Sequence, residues 1–169
     1  MQPARPVLVD TNIIIEAVRV GVWVALTGHF HIETVKKCCE EARTGDLYRP
    51  GYVRVSDADL KTRLTDHPVS DRELAVLTLK DPESFRLDAG ERHLWAYALG
   101  RNDDWQACCC DHAAVNAVVR LGWAERLVSL EDLVNAAGER RAAKMLKDQF
   151  RLRRLLAWRT EALLKRGLE

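Results

Sequence analysis

Long hydrophobic runs, a secretion signal and several familiar catalytic motifs are missing from this sequence of 169 residues. No stretch approaches the roughly 18 uninterrupted apolar residues of a membrane span. The first residues also lack the basic-then-apolar order of a secretory signal. We therefore expect no membrane insertion and a cytoplasmic location. Without H-E-x-x-H, P-loop or G-x-S-x-G patterns, zinc proteolysis, nucleotide phosphate binding and serine hydrolase chemistry have no support.

The cysteines are odd in number and poorly spaced for cross-linking or metal binding. The five cysteines form two runs of adjacent residues, at 38–39 and 108–110. Disulfides need a particular geometry between separated residues, and zinc knuckles favour C-x2-C spacing. The favoured interpretation is therefore a set of reduced, buried cysteines that act as small apolar residues. A redox or zinc protein is the less favoured alternative.

The chain as a whole has almost no net charge, but its two parts carry opposite charges. The formal net charge is +1. Residues 139–169, however, contain 10 Lys and Arg against 4 Asp and Glu, a net of +6, whereas residues 1–138 contain 16 against 21, a net of −5. This asymmetry predicts an acidic domain over 1–138 and a basic C-terminal extension over 139–169.

Short apolar runs alternate with amphipathic stretches along residues 1–138. Strands are predicted at 7–9, in GHFHIE, in WQACCC and around 126–128, with helices between them and a connection over 46–70 that holds one short helix near 57–64. This alternation predicts an α/β fold with a parallel sheet covered on both faces. Residues 139 to about 165 contain no glycine or proline, and they predict one long helix.

Acidic residues directly follow two of the predicted strands. Asp10 closes VLVD and Asp111 closes ACCCD, and a predicted helix begins after each of them. Ligands of open parallel sheets bind beyond the carboxyl ends of the strands. Both carboxylates are therefore expected at the functional edge, although an Asp in this position also serves as an ordinary helix N-cap.

Further acidic residues lie on helices expected to approach the same edge. Glu40 and Glu41 follow the second strand, and Asp88 and Glu91 begin the helix in LDAGERHLWAYALG with capping-box spacing. Crowded carboxylates repel one another unless a cation lies among them, and their hard oxygen atoms suit Mg2+ or Mn2+. The local alternative is that these residues are only helix caps and solvated side chains.

The sequence resembles the PIN-domain nucleases over roughly residues 6–137. The resemblance rests on VLVDTNIII, ETVKKCCEEA, LDAGERHLWAYALG and CCCDHAAVNAVVRLG, taken in that order. It implies a three-layer α/β sandwich in which helices flank a short central parallel sheet. The basic extension lies outside it.

The resemblance also assigns roles to particular acids. It implies that Asp10, Glu40, Glu91 and Asp111 carry catalysis and that these four, with Asp88, bind Mg2+ or Mn2+.

Some of these assignments have alternatives, and the first motif has supporting residues. Glu41 and Glu33 are weaker alternatives to Glu40. Glu91 fits the G-E variety of the family better than Asp88, which then caps the helix. Thr11 and Asn12 complete the first motif, as a helix-capping hydroxyl and an orienting amide. Cys110 stands where the family usually has Thr or Asp, and it departs from the pattern.

The function implied by the resemblance is hydrolysis of phosphodiester bonds in single-stranded RNA by a metal-dependent endoribonuclease. Much of the family acts as the toxin of a toxin–antitoxin pair, so a small protein inhibitor is a further implied partner. The alternative is a PIN-like module that binds RNA or protein without competent chemistry.

The basic extension has two interpretations of its own. Its leucines recur at helical spacing, which predicts docking of an apolar face on the domain or on a second copy of the chain in a homodimer. Its cations also predict a surface that contacts RNA phosphates, with Trp158 either packed or stacked on a base. The predicted nucleic-acid-binding residues are Arg140, Arg141, Lys144, Lys147, Arg151 and Arg154.

Overall fold

A parallel sheet forms the centre of the computed structural model, which describes residues 5–45, 48, 50–61 and 63–167. These residues form four strands: β1 (Val7–Val9), β2 (Ile32–Val35), β3 (Thr65–His67) and β4 (Gln106–Cys108). The strand order is β3-β2-β1-β4, and every neighbouring pair is parallel. The predicted α/β class with a parallel sheet is therefore confirmed.

Helices connect the strands and follow the last one. In chain order they are α1 (Thr11–Arg19), α2 (Trp23–His29), α3 (Lys36–Arg43), α4 (Asp57–Lys61), α5 (Asp71–Lys80), α6 (Ala89–Leu99), α7 (His112–Arg120), α8 (Leu130–Ala136), α9 (Arg140–Ala143) and α10 (Leu152–Arg166). Short 3-10 helices occupy Pro82–Arg86, Ala124–Arg126 and Asp148–Phe150.

Apolar side chains of the sheet are buried on both faces. Val7 and Val9 belong to one apolar cluster with residues of α1, α2 and α8, whereas Leu8 belongs to a second cluster with residues of α6 and α7. Successive side chains of a strand point to opposite faces. Helices therefore cover both sides of the sheet, as in a three-layer sandwich. All five cysteines are buried and free within these clusters, as the apolar interpretation predicts.

Two local predictions are wrong. The segment expected to be a strand around 126–128 is not one: Arg126 ends the 3-10 helix Ala124–Arg126, and Leu127 forms only an isolated parallel bridge to Ala107. The connection over 46–70 contains β3, an edge strand that was not predicted. Its sequence, TDH, is polar and largely exposed, so it lacks the apolar pattern that identifies a strand.

The prediction of one unbroken helix over 139–165 is also wrong. The chain forms the short α9, then the 3-10 helix Asp148–Phe150, and only then α10. Side chains from elsewhere satisfy the backbone at this break. Glu16 accepts a hydrogen bond from the Lys147 N–H (2.9 Å), Arg19 donates to the Met145 carbonyl (2.8 Å), and Arg151 donates to the Leu146 carbonyl (3.0 Å).

The extension shares the apolar clusters of residues 1–138. Ala142, Leu146 and Phe150 pack into the cluster that contains β1 and α1, and Leu155 packs into the one that contains α6 and α7. Buried Glu16 accepts a 2.7 Å hydrogen bond from the exposed Arg19 beside the first of these contacts. The basic extension is thus packed against the sheet's helices along most of its length.

The strand order also fixes where a ligand would bind. The chain builds β1, β2 and β3 in one direction, then returns to place β4 on the other side of β1. Crevices at such a reversal, beyond the carboxyl ends of the strands, are the usual binding sites of open parallel sheets. Asp10 and Asp111 follow the two strands that flank this reversal.

No single helix of the described residues is long and apolar enough to cross a bilayer. Only α1 and α2 taken together have that length and composition, and they are bent by 118° relative to each other.

The packing of the extension gives a stability prediction. Phe150→Ala should lower the free energy of unfolding by about 3–5 kcal/mol, because it removes a buried aromatic side chain from the shared cluster. Leu164→Ala, at a 66% exposed position of α10, is the matched control and should change it by less than about 0.5 kcal/mol. Urea unfolding measures both. Equal effects would mean that the extension does not share the core.

Candidate active site

Asp10 lies at the end of β1, where it begins α1. Its Oδ1 accepts a hydrogen bond from the Ile13 N–H (2.9 Å), so the residue is a helix N-cap, as its position in the sequence also suggests. The side chain is only 1% exposed, and its Oδ2 has no hydrogen-bond partner among the described residues. Buried polar atoms without partners are rare in proteins. The cap therefore accounts for one carboxylate oxygen and leaves the other unexplained.

The environment of Asp10 disfavours its charged form. The pKa of Asp10 is raised to about 7, chiefly by burial and also by the negative charges of Asp88 and Asp111, although the Ile13 and Cys110 N–H groups act in the opposite direction. Other carboxylates therefore lie near enough to repel it. A cation at this position would relieve both the burial and the repulsion.

Asp111 is the N-cap of α7 at the other side of the reversal. Its Oδ1 accepts hydrogen bonds from the Ala113 and Ala114 N–H groups, at 2.7 and 3.3 Å. In contrast to Asp10, Asp111 is exposed. Both strand-terminal aspartates cap through Oδ1, so capping and ligand binding are compatible in this structure.

Asp88 and Glu91 form the predicted capping box at the start of α6. Asp88 Oδ1 accepts a hydrogen bond from the Glu91 N–H (2.8 Å), and Glu91 Oε2 lies 3.4 Å from the Asp88 nitrogen. Asp88 is exposed, whereas Glu91 is buried. The pKa of Glu91 is raised to about 9, mainly by burial and then by the negative charges of Asp88, Asp10 and Asp111. Both residues therefore belong to the same group of acids as Asp10.

The two glutamates of α3 lie in different environments. Glu40 is 56% exposed, and its Oε2 lies 3.7 Å from the Lys37 ammonium group one turn away. Glu41 instead accepts a 2.7 Å hydrogen bond from the Thr11 hydroxyl, directly beside Asp10. A β-carbon at Gly90 would overlap Glu41 Oε2, so this glycine lets α3 and α6 approach closely. The structure brings Glu41 to the site and leaves Glu40, the residue favoured from sequence, at the surface.

Glu33, the other alternative, belongs to a separate cluster. Its carboxylate accepts hydrogen bonds from Arg101 (2.5 Å) and Tyr97 (3.1 Å), and lies 2.8 Å from His67 Nε2. Burial raises its pKa, but the Arg101 guanidinium and its other partners outweigh burial, so the pKa is lowered. This arrangement identifies Glu33 as a structural residue.

The two supporting residues of the first motif differ in their roles. Thr11 orients Glu41 through its hydroxyl rather than capping α1, which Asp10 does. Asn12 is exposed and lines a separate cavity of about 260 Å³ that also contains Tyr52, Lys147 and Phe150.

The basic residues predicted to contact RNA are only partly available. Arg151 donates to the Lys144 and Leu146 carbonyls, and Arg154 pairs with Asp148 (2.8 Å). The other four, Arg140, Arg141, Lys144 and Lys147, have exposed side chains.

The acids do not form a preassembled ligand sphere. Within the described ranges, no group of three or more His, Cys, Asp or Glu side chains is arranged to hold one metal ion. The acids therefore repel one another without sharing a coordination site. Mg2+ commonly keeps several waters and binds through only one or two carboxylates, so the chemistry of the donor set remains suitable.

Two features of this site depend on how the helices pack rather than on local sequence. Nothing in KKCCEEA distinguishes Glu40 from Glu41 except the direction in which α3 packs. Gly90 had a local signal, its place in the G-E pair, but its contact with Glu41 depends on the approach of α6 to α3.

No protein-family model, curated protein or solved structure matches this chain.

The raised pKa values predict an unusual dependence of stability on pH. Between about pH 5 and 9 the folded protein binds more protons at Asp10 and Glu91 than the unfolded chain does. Without metal, the free energy of unfolding should therefore fall as pH rises, by up to about 1.4 kcal/mol per pH unit for each proton.

Urea unfolding in EDTA at pH 5.5, 7 and 8.5 measures this dependence. The double variant Asp10→Asn/Glu91→Gln should flatten it, whereas Glu40→Gln, an exposed carboxyl, should leave it unchanged. A wild-type stability that is constant over this range would contradict the assignment of these two buried acids.

Proposed function

We propose that the chain is a PIN-like endoribonuclease that hydrolyses single-stranded RNA with Mg2+ or Mn2+. The observation that carries this proposal is the buried, unpaired Oδ2 of Asp10 among three other acids at the reversal of strand order. A helix cap requires only one carboxylate oxygen, so it does not explain the second oxygen, which is buried and unpaired. A divalent ion bound there would supply the missing partner.

Asp10 would hold the ion directly, with Glu91, Asp111 and Asp88 near enough to bind it through its waters. A divalent ion bound there would activate water and stabilise charge that develops at the phosphate. Fixed caps on α1 and α7 hold Asp10 and Asp111 in place before substrate arrives, which limits the reorganisation required.

Glu41 has a separate task in this proposal. The Thr11 hydroxyl fixes one of its oxygens, and the absence of a side chain at Gly90 gives it room. A carboxylate in this position can orient the attacking water and accept its proton while the leaving oxygen departs from phosphorus. We therefore assign to Glu41 the role that the resemblance gives to a glutamate of this helix.

A binding module without chemistry is the second candidate. It is favoured by the lack of a preassembled three-residue ligand group in the described part of the chain. Activity and metal binding separate the two candidates, since only the nuclease needs both.

Asp10→Asn should abolish Mn2+-dependent cleavage of a labelled single-stranded RNA, by at least about a hundredfold, while Asn Oδ1 still caps α1. Circular dichroism and thermal unfolding serve as the controls for folding. The proposal fails if the purified variant cleaves at the wild-type rate. It also fails if Mn2+ does not raise the melting temperature of the wild-type protein.

Adjacent glutamates of α3 provide a matched pair for the second test. Glu41→Gln should lower the single-turnover cleavage rate at least tenfold, because it removes the proton acceptor beside Thr11. Glu40→Gln carries the same change one residue away on the exposed side and should cleave within about twofold of wild type. The reverse result would restore Glu40 as the functional acid.

A further inference from the structure

A groove of about 320 Å³ runs along α7 and begins beside Asp111. Its floor is formed by His112, Asn116 and Arg120, which lie four residues apart on one face of the helix. One wall is the 3-10 helix Pro82–Arg86, and the other is α10 of the basic extension. The nine residues of α7 give the groove a length of about 13 Å, starting at the acidic edge.

The groove is basic although it begins at an acid. Arg86, Lys165 and Arg166 line it together with Arg120, against one lining carboxylate, Glu83. Arg120 is held by Asp81 through two hydrogen bonds, of 2.7 and 2.8 Å. Three of the four cations pair with the carboxylates Glu83, Asp81 and Glu161, so the net excess is one positive charge, that of Arg166.

The side chains at the walls are positioned differently. The Lys165 side chain is 60% exposed and contacts Glu161 (2.7 Å), and Arg86 is 66% exposed and lies 3.3 Å from Glu83. Surface pairs of this kind are weak and exchange readily with a stronger anion. Arg166 is more fixed, since it donates to the Val119 carbonyl (2.9 Å) at the far end of α7.

The middle of the floor has an unsatisfied polar group. Asn116 Oδ1 is buried and has no hydrogen-bond partner among the described residues. This oxygen is a hydrogen-bond acceptor, so its partner would be a donor such as a ribose hydroxyl group rather than a phosphate oxygen. The groove thus combines a cationic lining with an amide oxygen, Asn116 Oδ1, that has no hydrogen-bond partner among the described residues.

We propose that this groove binds the sugar–phosphate backbone of single-stranded RNA on one side of the cleaved bond. The proposal rests on the proposed nuclease function, and it identifies how the acidic site retains a polyanion that it would otherwise repel. The cations that matter are Arg86, Lys165 and Arg166, rather than the exposed residues of α9. The basic extension contributes through the α10 wall.

The test measures binding of a 5′-labelled 12-nucleotide oligouridine to the full-length protein. Fluorescence anisotropy gives the Kd in EDTA at salt concentrations between 50 and 200 mM. Arg86→Ala/Lys165→Ala should raise Kd at least fivefold. It should also lower the slope of log Kd against log salt by about 1.4, which corresponds to two single-strand phosphate contacts of about 0.7 each. Both positions are exposed, so the fold should be retained.

Arg72→Ala/Arg153→Ala is the matched control, because it removes the same charge from exposed positions outside the groove. It should leave Kd within about twofold and the slope unchanged. Equal weakening by both double variants would overturn the groove, since net charge alone would then explain binding. No effect of Arg86→Ala/Lys165→Ala would overturn it too.

Cleavage with Mn2+ is measured separately, so the two proposals can fail independently. If the wild-type protein binds through the groove but does not cleave, the nuclease proposal fails and the groove stands. If the wild-type protein and Arg86→Ala/Lys165→Ala bind and cleave alike, the groove fails and the nuclease stands.

Discussion

The repulsion among buried and neighbouring carboxylates at the carboxyl edge of the sheet is the constraint on which the rest of the site depends. Burial of the charged forms of Asp10 and Glu91 costs free energy, as it would for any carboxylate. The negative charges of Asp88 and Asp111 increase that cost. A folded protein can meet this cost by binding protons or by binding a cation. The first solution lowers stability as pH rises, and the second couples stability to metal.

The same acids also build the fold, which explains why they can be held so close together. The caps of α1, α6 and α7 each use an aspartate at the carboxyl edge, so the helix N-termini offset part of the negative charge. Local hydrogen bonds therefore position the capping oxygen of each aspartate before any ligand binds, although the described acids do not together form a coordination sphere.

Local signals account for what could be predicted from sequence. Helix caps can be recognised from residues that are neighbours in the sequence. The structure confirms the caps at Asp10, at Asp111 and at the pair Asp88 and Glu91. The choice between Glu40 and Glu41 could not be made, since successive helix residues differ by about 100° and only the packing of α3 on α6 selects one. The break in the extension was hidden for the same reason, because distant Glu16 and Arg19 satisfy its backbone.

That break also determines where the positive charge lies. A single helix over 139–165 would carry its cations along one continuous rod, but the turn at 144–151 directs α10 alongside α7. His112 and Glu161 are 3.4 Å apart near one end of this contact, and Arg166 reaches Val119 near the other. The two helices therefore run in the same direction. Opposite charges are thus separated in space: acids gather at the start of α7, and Lys165 and Arg166 at the end of α10 lie farther along it.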